Sequence, residues 1–376
     1  MNRPIWDEAA PGGAESISFP TLEGAHGADV CVVGLGGSGL TAVHALLDRG
    51  ASVIGIDARH VAGGAAGRNG GLLLAGLAPF YHDATLALGR ERARAFYLAT
   101  IDEQERVREA TPDHVRRTGS LRIAADEAEL EDCDAQRAAM ESDGLPVEPH
   151  DGPFGAGLRF PTDMCFNPLA RARALSFRAA SRGAALFENS PALEIAADGV
   201  RTDRGEISAG RVIVAVDGAL DRVLPELAGR VRTARLQMLG TEPASDVSLE
   251  APMYLRHGYE YMQQLEDGRI ALGGFRDRHE AAEWTHENDP TDEIQGLLEE
   301  FLRDRIGTSA AITHRWAASV GYTDGPLPIF EELRGGVIAL GGYSGTGNLV
   351  GALAGRAAAA MALGGSSPEL DLFRPE

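Results

Sequence analysis

The chain has 376 residues, of which 44% are hydrophobic and 24% charged, so its composition is that of a globular protein and excludes a disordered or collagen-like chain. Its length predicts two to three domains, or one large domain with an insertion. The net charge of −20 disfavours nucleic acid and anionic membranes as partners, and the 35 basic residues are all arginine, which excludes Schiff-base and other lysine chemistry.

The first predicted elements are a strand, a helix and a second strand near the N-terminus. Val30–Val33 is a short apolar run typical of a buried parallel strand. A G-x-G-x-x-G sequence, Gly34–Gly39, leads from this strand into a helical stretch. The second strand, Ser52–Ile56, is followed directly by Asp57. The order is that of a complete βαβ unit.

This spacing is typical of a dinucleotide-binding loop. Gly34 permits the tight turn, Gly36 lets the backbone approach a pyrophosphate, and Gly39 lets the helix pack on the strand. The helix N-terminus offers free N–H groups to the phosphates. Asp57 follows Gly39 by 18 residues, where a carboxylate accepts hydrogen bonds from a ribose hydroxyl. The acid favours FAD or NAD over NADP.

The rest of the chain mixes helical and strand patterns. Predicted helices are Thr85–Ala110, Asp126–Ser142, Pro168–Arg182, Pro290–Ile306 and Asn348–Leu363. Predicted strands are Leu121–Ala125, Ala185–Glu188, Gly199–Thr202, Val212–Ala215, Ile312–Ser319 and Val337–Leu340. Antiparallel strands are expected at Arg230–Glu242, Pro252–Leu265 and Arg269–Phe275, with a turn at Asp267-Gly268. The pattern predicts an α/β protein.

Two further glycine clusters distinguish between the possible cofactors. Gly63–Gly71 follows the second strand at once, and Gly341–Gly347 lies between a predicted strand and a predicted helix. A nicotinamide cofactor needs one such loop, whereas a long flavin dinucleotide needs close backbone approach at several points. The clusters therefore favour FAD, the alternative being that they form only tight turns.

Cysteine usage and the N-terminal segment bear on the cell compartment. Cys31, Cys133 and Cys165 are widely spaced, form no C-x-x-C motif, and predict a reducing compartment without a metal site. The N-terminus lacks the pattern of a signal peptide, and no apolar run approaches the ~18–20 residues that span a bilayer. The sequence predicts a soluble, cytoplasmic protein.

Several motifs together carry a family resemblance. They are Trp6, Phe19–Gly24, Ala66–Gly71, Arg315-Trp316, Thr323–Pro328 and Gly342–Gly347. With the βαβ unit, these segments resemble the D-amino-acid-oxidase-like (DAO) superfamily of FAD-dependent oxidoreductases, most closely its γ-glutamylputrescine oxidoreductase branch. Ala66–Gly71 is similar to the SGRNGG signature of that branch, with Ala66 in place of Ser. The resemblance covers nearly the whole chain, but residues 226–310 match only loosely.

The resemblance implies two discontinuous domains. A Rossmann-like FAD-binding domain with a central parallel sheet is expected over residues 1–84, 146–225 and 319–376. An α+β substrate domain, built on a mostly antiparallel sheet that covers the isoalloxazine ring, is expected over residues 85–145 and 226–318. Some relatives attach the flavin through a Cys, and the corresponding stretch here contains none, so FAD is expected to be non-covalent.

The resemblance also implies the cofactor-binding residues. The first glycine loop would hold the pyrophosphate, Asp57 the adenosine ribose and Ala192 the adenine, while Gly345–Asn348 would face the pyrimidine end of the ring. A helix N-terminus there stabilises the negative charge of a reduced flavin. The full expected set is Gly34, Gly36, Gly37, Ser38, Gly39, Asp57, Ala58, Arg59, Ala65, Ala66, Gly67, Arg68, Asn69, Gly70, Gly71, Leu72, Ala192, Ala215, Gly218, Gly342, Tyr343, Gly345, Thr346, Gly347 and Asn348.

The reaction implied by the resemblance is oxidation of the C–N bond of an amine or amino acid. A hydride passes to flavin N5, the imine hydrolyses, and O2 (giving H2O2) or another acceptor takes the electrons. Some relatives carry a lysine that helps oxygen react with the flavin, and this chain has no lysine, so a dehydrogenase stays open. The alternatives are oxidation of a C–O bond, as in a hydroxy acid, and an FAD-binding protein without turnover.

Candidate catalytic residues lie in the flavin loop and the expected covering sheet. They are Arg68, Asn69, Tyr259, Tyr261, Arg276 and Tyr343, and Arg256, His257, Gln263 and Tyr322 are further candidates for the cavity wall. Alternation places Tyr259, Tyr261 and Gln263 on one strand face, where the rings either form a cavity wall or pack within the sheet. Arg276 or Arg256 either clamps a substrate carboxylate or is solvated at the surface. His257 and His279 are candidates to accept the amine proton, with a surface or structural role as the alternative.

Overall fold

The computed structural model describes residues 2–8, 18–333 and 335–374. The chain divides into two compact units, each assembled from three segments. We call residues 10–67, 169–233 and 320–376 the parallel-sheet unit, and residues 1–9, 68–168 and 234–319 the antiparallel-sheet unit. Each unit has its own hydrophobic core.

The helices and strands are numbered in chain order. The strands are β1 (Gly24–Val33), β2 (Val53–Ile56), β3 (Leu72–Leu73), β4 (Val115–Arg117), β5 (Ser120–Ile123), β6 (Glu148–Gly152), β7 (Gly155–Phe160), β8 (Met164–Phe166), β9 (Ala185–Phe187), β10 (Glu194–Ala196), β11 (Gly199–Arg201), β12 (Gly205–Val214), β13 (Arg232–Thr241), β14 (Met253–Leu255), β15 (Glu260–Gln264), β16 (Ile270–Gly273), β17 (Ile312–Tyr322), β18 (Ile329–Leu333) and β19 (Val337–Gly341). The α-helices are α1 (Gly37–Leu47), α2 (Tyr81–Leu88), α3 (Arg90–Ala110), α4 (Glu127–Ser142), α5 (Pro168–Ser181), α6 (Leu220–Val223), α7 (Glu280–Glu283), α8 (Asp292–Phe301), α9 (Val350–Ala362) and α10 (Pro368–Phe373).

The parallel-sheet unit is organised around adjacent strands in the order β9-β2-β1-β12-β19, which all run parallel. The antiparallel strands β10, β11 and β18 extend this sheet at its edges. Val32 and Ile213 have no exposed surface, as expected for strands buried on both faces. The Rossmann-like parallel sheet predicted from the sequence is confirmed.

Small residues let the last long helix of this unit approach the first one. Helix α9 is rich in Ala and Gly, and a Cβ placed on Gly355 would lie 2.3 Å from the carbonyl oxygen of Ser38 in α1. Such a distance leaves no room for a side chain, so the composition of α9 follows from its contact with the α1 backbone. The predicted helix at Asn348–Leu363 is confirmed, although it begins at Val350.

The antiparallel-sheet unit is built on a sheet in the order β17-β13-β16-β15-β14-β5-β7-β6. On one face, Ile294 and Leu298 of α8 pack with strand residues such as Met262. On the other face, residues of α2, α3 and α4 pack with Phe160 and Tyr254. This α+β architecture confirms the second fold expected from the sequence. A small sheet, β3-β8-β4, also belongs to this unit.

The bounds of the two units differ from the expected domain bounds in several segments. Residues 1–9, 68–84 and 146–168 were expected in the FAD-binding domain but lie in the antiparallel-sheet unit. Residues 226–233 were expected in the substrate domain but lie in the parallel-sheet unit. Strand pairing explains the two longer segments, residues 68–84 and 146–168, because β3 pairs with β8 and β7 pairs with β5. The short β3 and the glycine-containing β6 and β7 carry too weak a pattern to predict these pairings from the sequence.

Two predicted elements are each split in the structure. The expected strand Pro252–Leu265 is a hairpin, in which β14 and β15 pair antiparallel around a turn at Arg256–Gly258. Arg256 and His257 adopt positive φ angles of 46° and 56°. Non-glycine residues rarely adopt this conformation, so the turn left no sign in the sequence. The expected helix Thr85–Ala110 consists of α2 and α3, with a break at Gly89.

A buried carboxyl group connects several elements of the antiparallel-sheet unit. The Asp163 side chain accepts hydrogen bonds from the Ala75 N–H (2.9 Å), the Gln104 amide (2.8 Å) and the Ser120 hydroxyl (2.7 Å). Burial raises the pKa of Asp163 from 3.8 to about 6, although these hydrogen bonds oppose the shift. The folded chain therefore binds a proton at Asp163 more tightly than the unfolded chain does.

We expect Asp163→Asn to change how stability depends on pH. In the wild type the pKa of Asp163 is higher in the folded than in the unfolded chain. Protonation of Asp163 therefore stabilises the folded state below pH 4, and this stabilisation is lost as the pH rises to about 6. The unfolding free energy of the variant minus that of wild type should therefore rise by about 3 kcal/mol over this range, measured by urea denaturation. A difference that does not change with pH would contradict the raised pKa. Asn keeps one accepting oxygen and can donate to Ser120, so the variant should fold.

Candidate active site

The first glycine loop turns tightly at the end of β1. Gly34 has a φ of +98°, and a Cβ there would lie 2.4 Å from the carbonyl oxygen of Ala215. A Cβ on Gly39 would lie 1.8 Å from the carbonyl oxygen of Gly34, so any side chain would force α1 away from the loop. The first and third glycines of the motif are thus required by backbone packing, as the sequence predicts.

The middle of the loop leaves backbone groups accessible at the start of α1. Gly36 is the N-cap residue and has no side chain to cap the helix, so the N–H groups of the first turn keep donor capacity. A Cβ on Gly37 would meet no heavy atom within 4 Å, which shows open space above the turn. Free N–H groups at a helix N-terminus suit the binding of a phosphate.

Asp57 lies at the end of β2, beside the glycine loop. One carboxylate oxygen accepts from the Leu35 N–H (2.9 Å) and the other from the Arg59 N–H (2.9 Å). Burial raises the pKa of Asp57, and these two hydrogen bonds act in the opposite direction. Each oxygen keeps a second lone pair, so the group can accept a further hydrogen bond from a hydroxyl group.

Glu188 is a structural residue of this region that the sequence analysis did not single out. One oxygen accepts from the Val61 N–H (2.7 Å), and the other accepts from the Phe19 N–H (3.1 Å) and lies 3.3 Å from His60 Nδ1. Glu188 therefore joins the end of β9 to two separate loops. Its position as the last residue of the predicted strand Ala185–Glu188, comparable to that of Asp57 after the second strand, was the available signal.

Asp217 connects three segments of the parallel-sheet unit: its own turn, the end of β17 and the second glycine loop. One of its oxygens accepts from the N–H groups of Gly342 (3.0 Å) and Tyr343 (3.2 Å). The other accepts from the N–H of Gly321 (3.1 Å). Burial raises the pKa of Asp217, against the effect of these hydrogen bonds. This carboxylate fixes the start of the second glycine loop, a role that the sequence analysis did not assign.

Tyr343 was a candidate for the cavity wall, but its side chain is 95% buried. Its ring lies against the start of α9, since a Cβ on Gly347 or Gly351 would come within 3.2 or 3.3 Å of it. The Tyr343 carbonyl oxygen accepts from the Thr346 hydroxyl (2.7 Å). These contacts support a packing role for Tyr343 that shapes the second glycine loop.

Arg68 lies at the start of a loop in the antiparallel-sheet unit. Its Nε donates to the Ala317 carbonyl (2.8 Å), and its Nη2 donates to the backbone and side-chain oxygens of Asn2. Its own carbonyl accepts from the indole N–H of Trp316 (2.7 Å). The Arg68 guanidinium is therefore engaged with the N-terminal segment and with β17, which favours a positioning role over contact with substrate.

The next residues of this loop are also held by hydrogen bonds. The Asn69 carbonyl accepts from the indole N–H of Trp6 (2.9 Å), and its side-chain oxygen accepts from the Gly71 N–H (2.9 Å). Trp6 and Trp316 are fully buried and meet edge to face, with ring centroids 6.4 Å apart. The two tryptophans thus fix the carbonyl groups of consecutive residues.

Strand β15 contributes two side chains to the same loop. Gln263 Nε2 donates to the carbonyl oxygens of Gly70 (2.7 Å) and Gly71 (3.0 Å). The Tyr261 ring covers Gly70 and Gly273, because a Cβ on either residue would lie within 2.8 Å of it. Tyr261 and Gln263 lie on one face of the strand, as predicted. Gln263 positions the backbone of the loop that contains Gly70 and Gly71.

The predicted alternation is wrong for Tyr259, which precedes β15 and belongs to the hairpin turn. Arginine side chains flank its ring instead. The guanidinium of Arg256 lies 5.5 Å and that of Arg276 5.4 Å from the ring centroid. Arg276 also lies 5.0 Å from the Trp284 ring centroid, so Tyr259 belongs to a cation–π cluster.

Arg256 is not available as a clamp for a substrate carboxylate. Its guanidinium forms bidentate ion pairs with Glu260 (2.5 and 2.7 Å) and Asp277 (2.8 and 2.9 Å). These two carboxylates raise the pKa of Arg256 above its usual range, while burial opposes the shift. The predicted clamp role is therefore wrong for Arg256. Arg276 is half-buried and stays a candidate.

The remaining predicted residues divide between the two units. In the antiparallel-sheet unit, Leu72 begins β3. The parallel-sheet unit contains the others, which are Ser38, Ala58, Ala65, Ala66, Gly67, Ala192, Gly218, Tyr322, Gly345, Thr346 and Asn348. His257 and His279 are exposed, which favours the surface role for both. Among the described residues, no group of three or more His, Cys, Asp or Glu side chains is placed to hold a metal ion.

A family model described as "DAO: FAD dependent oxidoreductase" matches residues 29–361, most of the chain. The chain belongs to the DAO family of FAD-dependent oxidoreductases. The resemblance seen in the sequence is thus confirmed. In the part of this DAO enzyme that the structure describes, no helix has the length and apolar character needed to cross a membrane.

Named relatives extend along nearly the whole DAO enzyme. It is 29% identical to the "Probable oxidoreductase OrdL" of Rhizobium meliloti over 95% of this chain and 87% of that protein. It is 26% identical to the "Gamma-glutamylputrescine oxidoreductase" of Escherichia coli over 94% of this chain and 88% of that protein. The second relative confirms the branch expected from the sequence.

Solved structures share the fold of the DAO enzyme. Glycine oxidase from Geobacillus kaustophilus superposes with a TM-score of 0.76 at 20% identity, covering 91% of this chain and 96% of that one. L-proline dehydrogenase from P. horikoshii gives a TM-score of 0.71 at 19% identity, covering 91% and 93%. These likenesses confirm the mixed α/β fold.

The residues of the parallel-sheet unit fit a flavin dinucleotide. The glycine loop would hold the pyrophosphate at the uncapped start of α1, and Asp57 would accept from a ribose hydroxyl. A Cβ on Gly345 would meet no heavy atom within 4 Å, so the second glycine loop also leaves open space. The DAO enzyme therefore has the backbone approach points that the cofactor of its family requires.

We expect Asp217→Ala to weaken FAD binding. Three buried N–H groups, at Gly321, Gly342 and Tyr343, would lose their acceptor, at a cost of about 1–3 kcal/mol for each unpaired group. The measurement is FAD affinity by flavin fluorescence, together with the unfolding midpoint. Asp217→Asn keeps one acceptor and should fall between Ala and wild type. Asp203→Ala, at an exposed turn, is the control, and equal affinities in all four proteins would contradict the role of Asp217.

Proposed function

We propose that this protein oxidises the C–N bond of an amine or amino acid with FAD held non-covalently. The observation that carries the proposal is the similarity to Escherichia coli gamma-glutamylputrescine oxidoreductase over 94% of the chain, in a family of FAD-dependent oxidoreductases. The amine-oxidising names among proteins of the same fold, glycine oxidase and L-amino acid deaminase, agree with this substrate class.

When bound, FAD supplies the redox chemistry, since its N5 atom accepts a hydride from the carbon beside the amine nitrogen. The chain itself supplies binding and orientation. The Gly34–Gly39 loop and the start of α1 bind the pyrophosphate, and Asp217 holds the second glycine loop in place. Gln263 and Tyr261 fix the backbone of Gly70 and Gly71. These interactions position groups and require no strong acid or base.

Non-covalent binding is supported by the state of the cysteines. Cys31, Cys133 and Cys165 are all buried in the cores of their units. Burial raises the pKa of the Cys31 thiol to about 12 and that of Cys133 to about 11, and it also raises the pKa of Cys165. None of the three is therefore a reactive thiolate. No other cysteine exists in the chain to form a flavin bond. Heat or acid should therefore release all flavin into solution.

The proposal is tested by the visible spectrum of the purified protein under anaerobic conditions. Pools of amines, amino acids and hydroxy acids are added separately, and loss of the flavin band identifies the substrate class. Bleaching by an amine or amino-acid pool is the expected result, and readmitted air then distinguishes an oxidase from a dehydrogenase. Bleaching by hydroxy acids alone would favour C–O oxidation, and a flavin that no pool bleaches would overturn the proposal.

A further inference from the structure

A small cavity lies inside the antiparallel-sheet unit, apart from the residues assigned to the flavin. Its volume is about 20 Å³, above the ~10–15 Å³ that one water molecule needs. Its wall includes Tyr81, Tyr97, Arg122, Gln136 and Tyr254. The wall therefore combines aromatic rings with one positive charge, and no Asp or Glu of the described segments lines the cavity.

The charge on this wall is a buried guanidinium. Arg122 is 8% exposed, and among the described residues it forms no ion pair. Its Nη1 donates to Gln136 Oε1 (2.8 Å), and its guanidinium lies 4.0 Å from the Phe80 ring centroid and 5.1 Å from that of Tyr254. Its buried Nε has no hydrogen-bond partner within the described part of the chain. A buried cation normally has a counter-charge, because its desolvation is costly.

A second donor on the same wall is also unused. Tyr97 is 3% exposed, and its hydroxyl has no hydrogen-bond partner among the residues that the structure describes. Burial raises the pKa of Tyr97 well above its usual value, so this hydroxyl stays protonated. Asp163 is close enough for the Arg122 charge to lower its pKa, but its oxygens accept hydrogen bonds from Ala75, Gln104 and Ser120.

We propose that this cavity binds a small monovalent anion, of the size of chloride or formate, between Arg122 Nε and the Tyr97 hydroxyl. Two unpartnered donors line one space that holds no more than a few atoms. An anion accepts both hydrogen bonds and brings a negative charge into direct contact with the guanidinium, which a water molecule would not do. A cation is excluded by Arg122, and a large organic acid by the volume.

The test measures the urea unfolding midpoint of the flavin-loaded protein at constant ionic strength. Sodium gluconate, whose anion is too large for the cavity, is replaced stepwise by sodium chloride, sodium bromide or sodium formate. The midpoint should rise with each small anion and reach a plateau, because ligand binding stabilises the folded state. A midpoint that is the same in gluconate and in all three small anions would overturn the proposal.

Two variants locate the site. Tyr97→Phe keeps the ring and removes only the unused hydroxyl, and Arg122→Gln removes the charge; each should weaken the apparent anion affinity about tenfold or more. The matched control is Tyr81→Phe, on the same cavity wall, because the Tyr81 hydroxyl already donates to Asp143 (2.5 Å). If Arg122→Gln does not fold, comparing the anion affinities of Tyr97→Phe and Tyr81→Phe still tests whether the Tyr97 hydroxyl binds the anion. Equal anion responses in Tyr97→Phe and wild type would contradict the assignment.

A crystal grown in sodium bromide provides a direct view. An anomalous peak within hydrogen-bond distance of Arg122 Nε and the Tyr97 hydroxyl is the expected result, and its loss in Tyr97→Phe would confirm the site. A cavity that contains water alone at this concentration would overturn the proposal. Neither measurement depends on turnover, so the result stands whether or not amine oxidation is confirmed.

Discussion

Gly39→Ala is expected to abolish stable FAD binding. A Cβ at this position would lie 1.8 Å from the Gly34 carbonyl oxygen, so α1 must move away from β1 to admit even a methyl group. That movement displaces the first-turn N–H groups, which our proposal places at the pyrophosphate. We expect purified Gly39→Ala to retain less than about a tenth of the wild-type flavin, since loss of ~1.4 kcal/mol already costs tenfold in affinity. Flavin content is measured from the ratio of visible to protein absorbance.

A glycine in an open position serves as the matched control. Gly296 lies within α8, and a Cβ there would meet no heavy atom within 4 Å. Gly296→Ala should keep full flavin content and gain about 0.5–1 kcal/mol of stability from the higher helix propensity of alanine. If Gly39→Ala bound flavin as well as Gly296→Ala does, the close contact in the loop would not control cofactor binding. Far-UV circular dichroism checks that both variants fold.

Glu283→Gln is expected to destabilise the antiparallel-sheet unit by about 3–5 kcal/mol. Glu283 is 1% exposed and forms a bidentate ion pair with Arg235, at 2.8 and 3.0 Å. Gln237 also donates to both carboxylate oxygens (3.1 Å each). The substitution keeps the shape of the side chain but removes the buried partner of Arg235. The exposed carboxylate of Glu287, 3.7 Å away, then remains as an ion-pair partner. Urea denaturation followed by circular dichroism measures the loss.

An exposed ion pair serves as the control for the effect of burial on the stability lost in Glu283→Gln. Glu141 pairs with Arg137 on the surface of α4, at 3.3 Å, and Glu141→Gln should leave the unfolding midpoint unchanged. Replacing Arg235 and Glu283 together by methionine should recover much of the loss, because no uncompensated charge remains. Equal stability of Glu283→Gln and Glu141→Gln would contradict the importance of the buried pair.

The N-terminal βαβ unit could be predicted in detail because its signals are local. The glycine spacing at 34–39 and the apolar runs of β1 and β2 depend on contacts within about 30 residues. The structure gives the physical reason for Gly34 and Gly39, whose missing side chains prevent backbone clashes. The parallel sheet and the antiparallel sheet also follow from patterns that each strand carries by itself.

The residues that hold the candidate site together could not be predicted in the same way. Asp217 bonds to N–H groups more than 100 residues away in the sequence, and the Arg68 carbonyl meets Trp316. Such contacts depend on the tertiary fold and leave no periodic signal in the chain. The hairpin at Arg256 was missed for a related reason, since a non-glycine residue with positive φ looks like any other residue in a sequence.

The interleaving of the two units has a consequence for synthesis on the ribosome. The parallel sheet needs β1 from the start of the chain, and it also needs β19 and α9, which leave the ribosome near the end. Neither unit can reach its final core while only the first half of the chain has emerged. The nascent chain must therefore keep the apolar strands β1 and β2 apart from other chains for most of translation. We therefore expect its yield in cells to depend on chaperone supply.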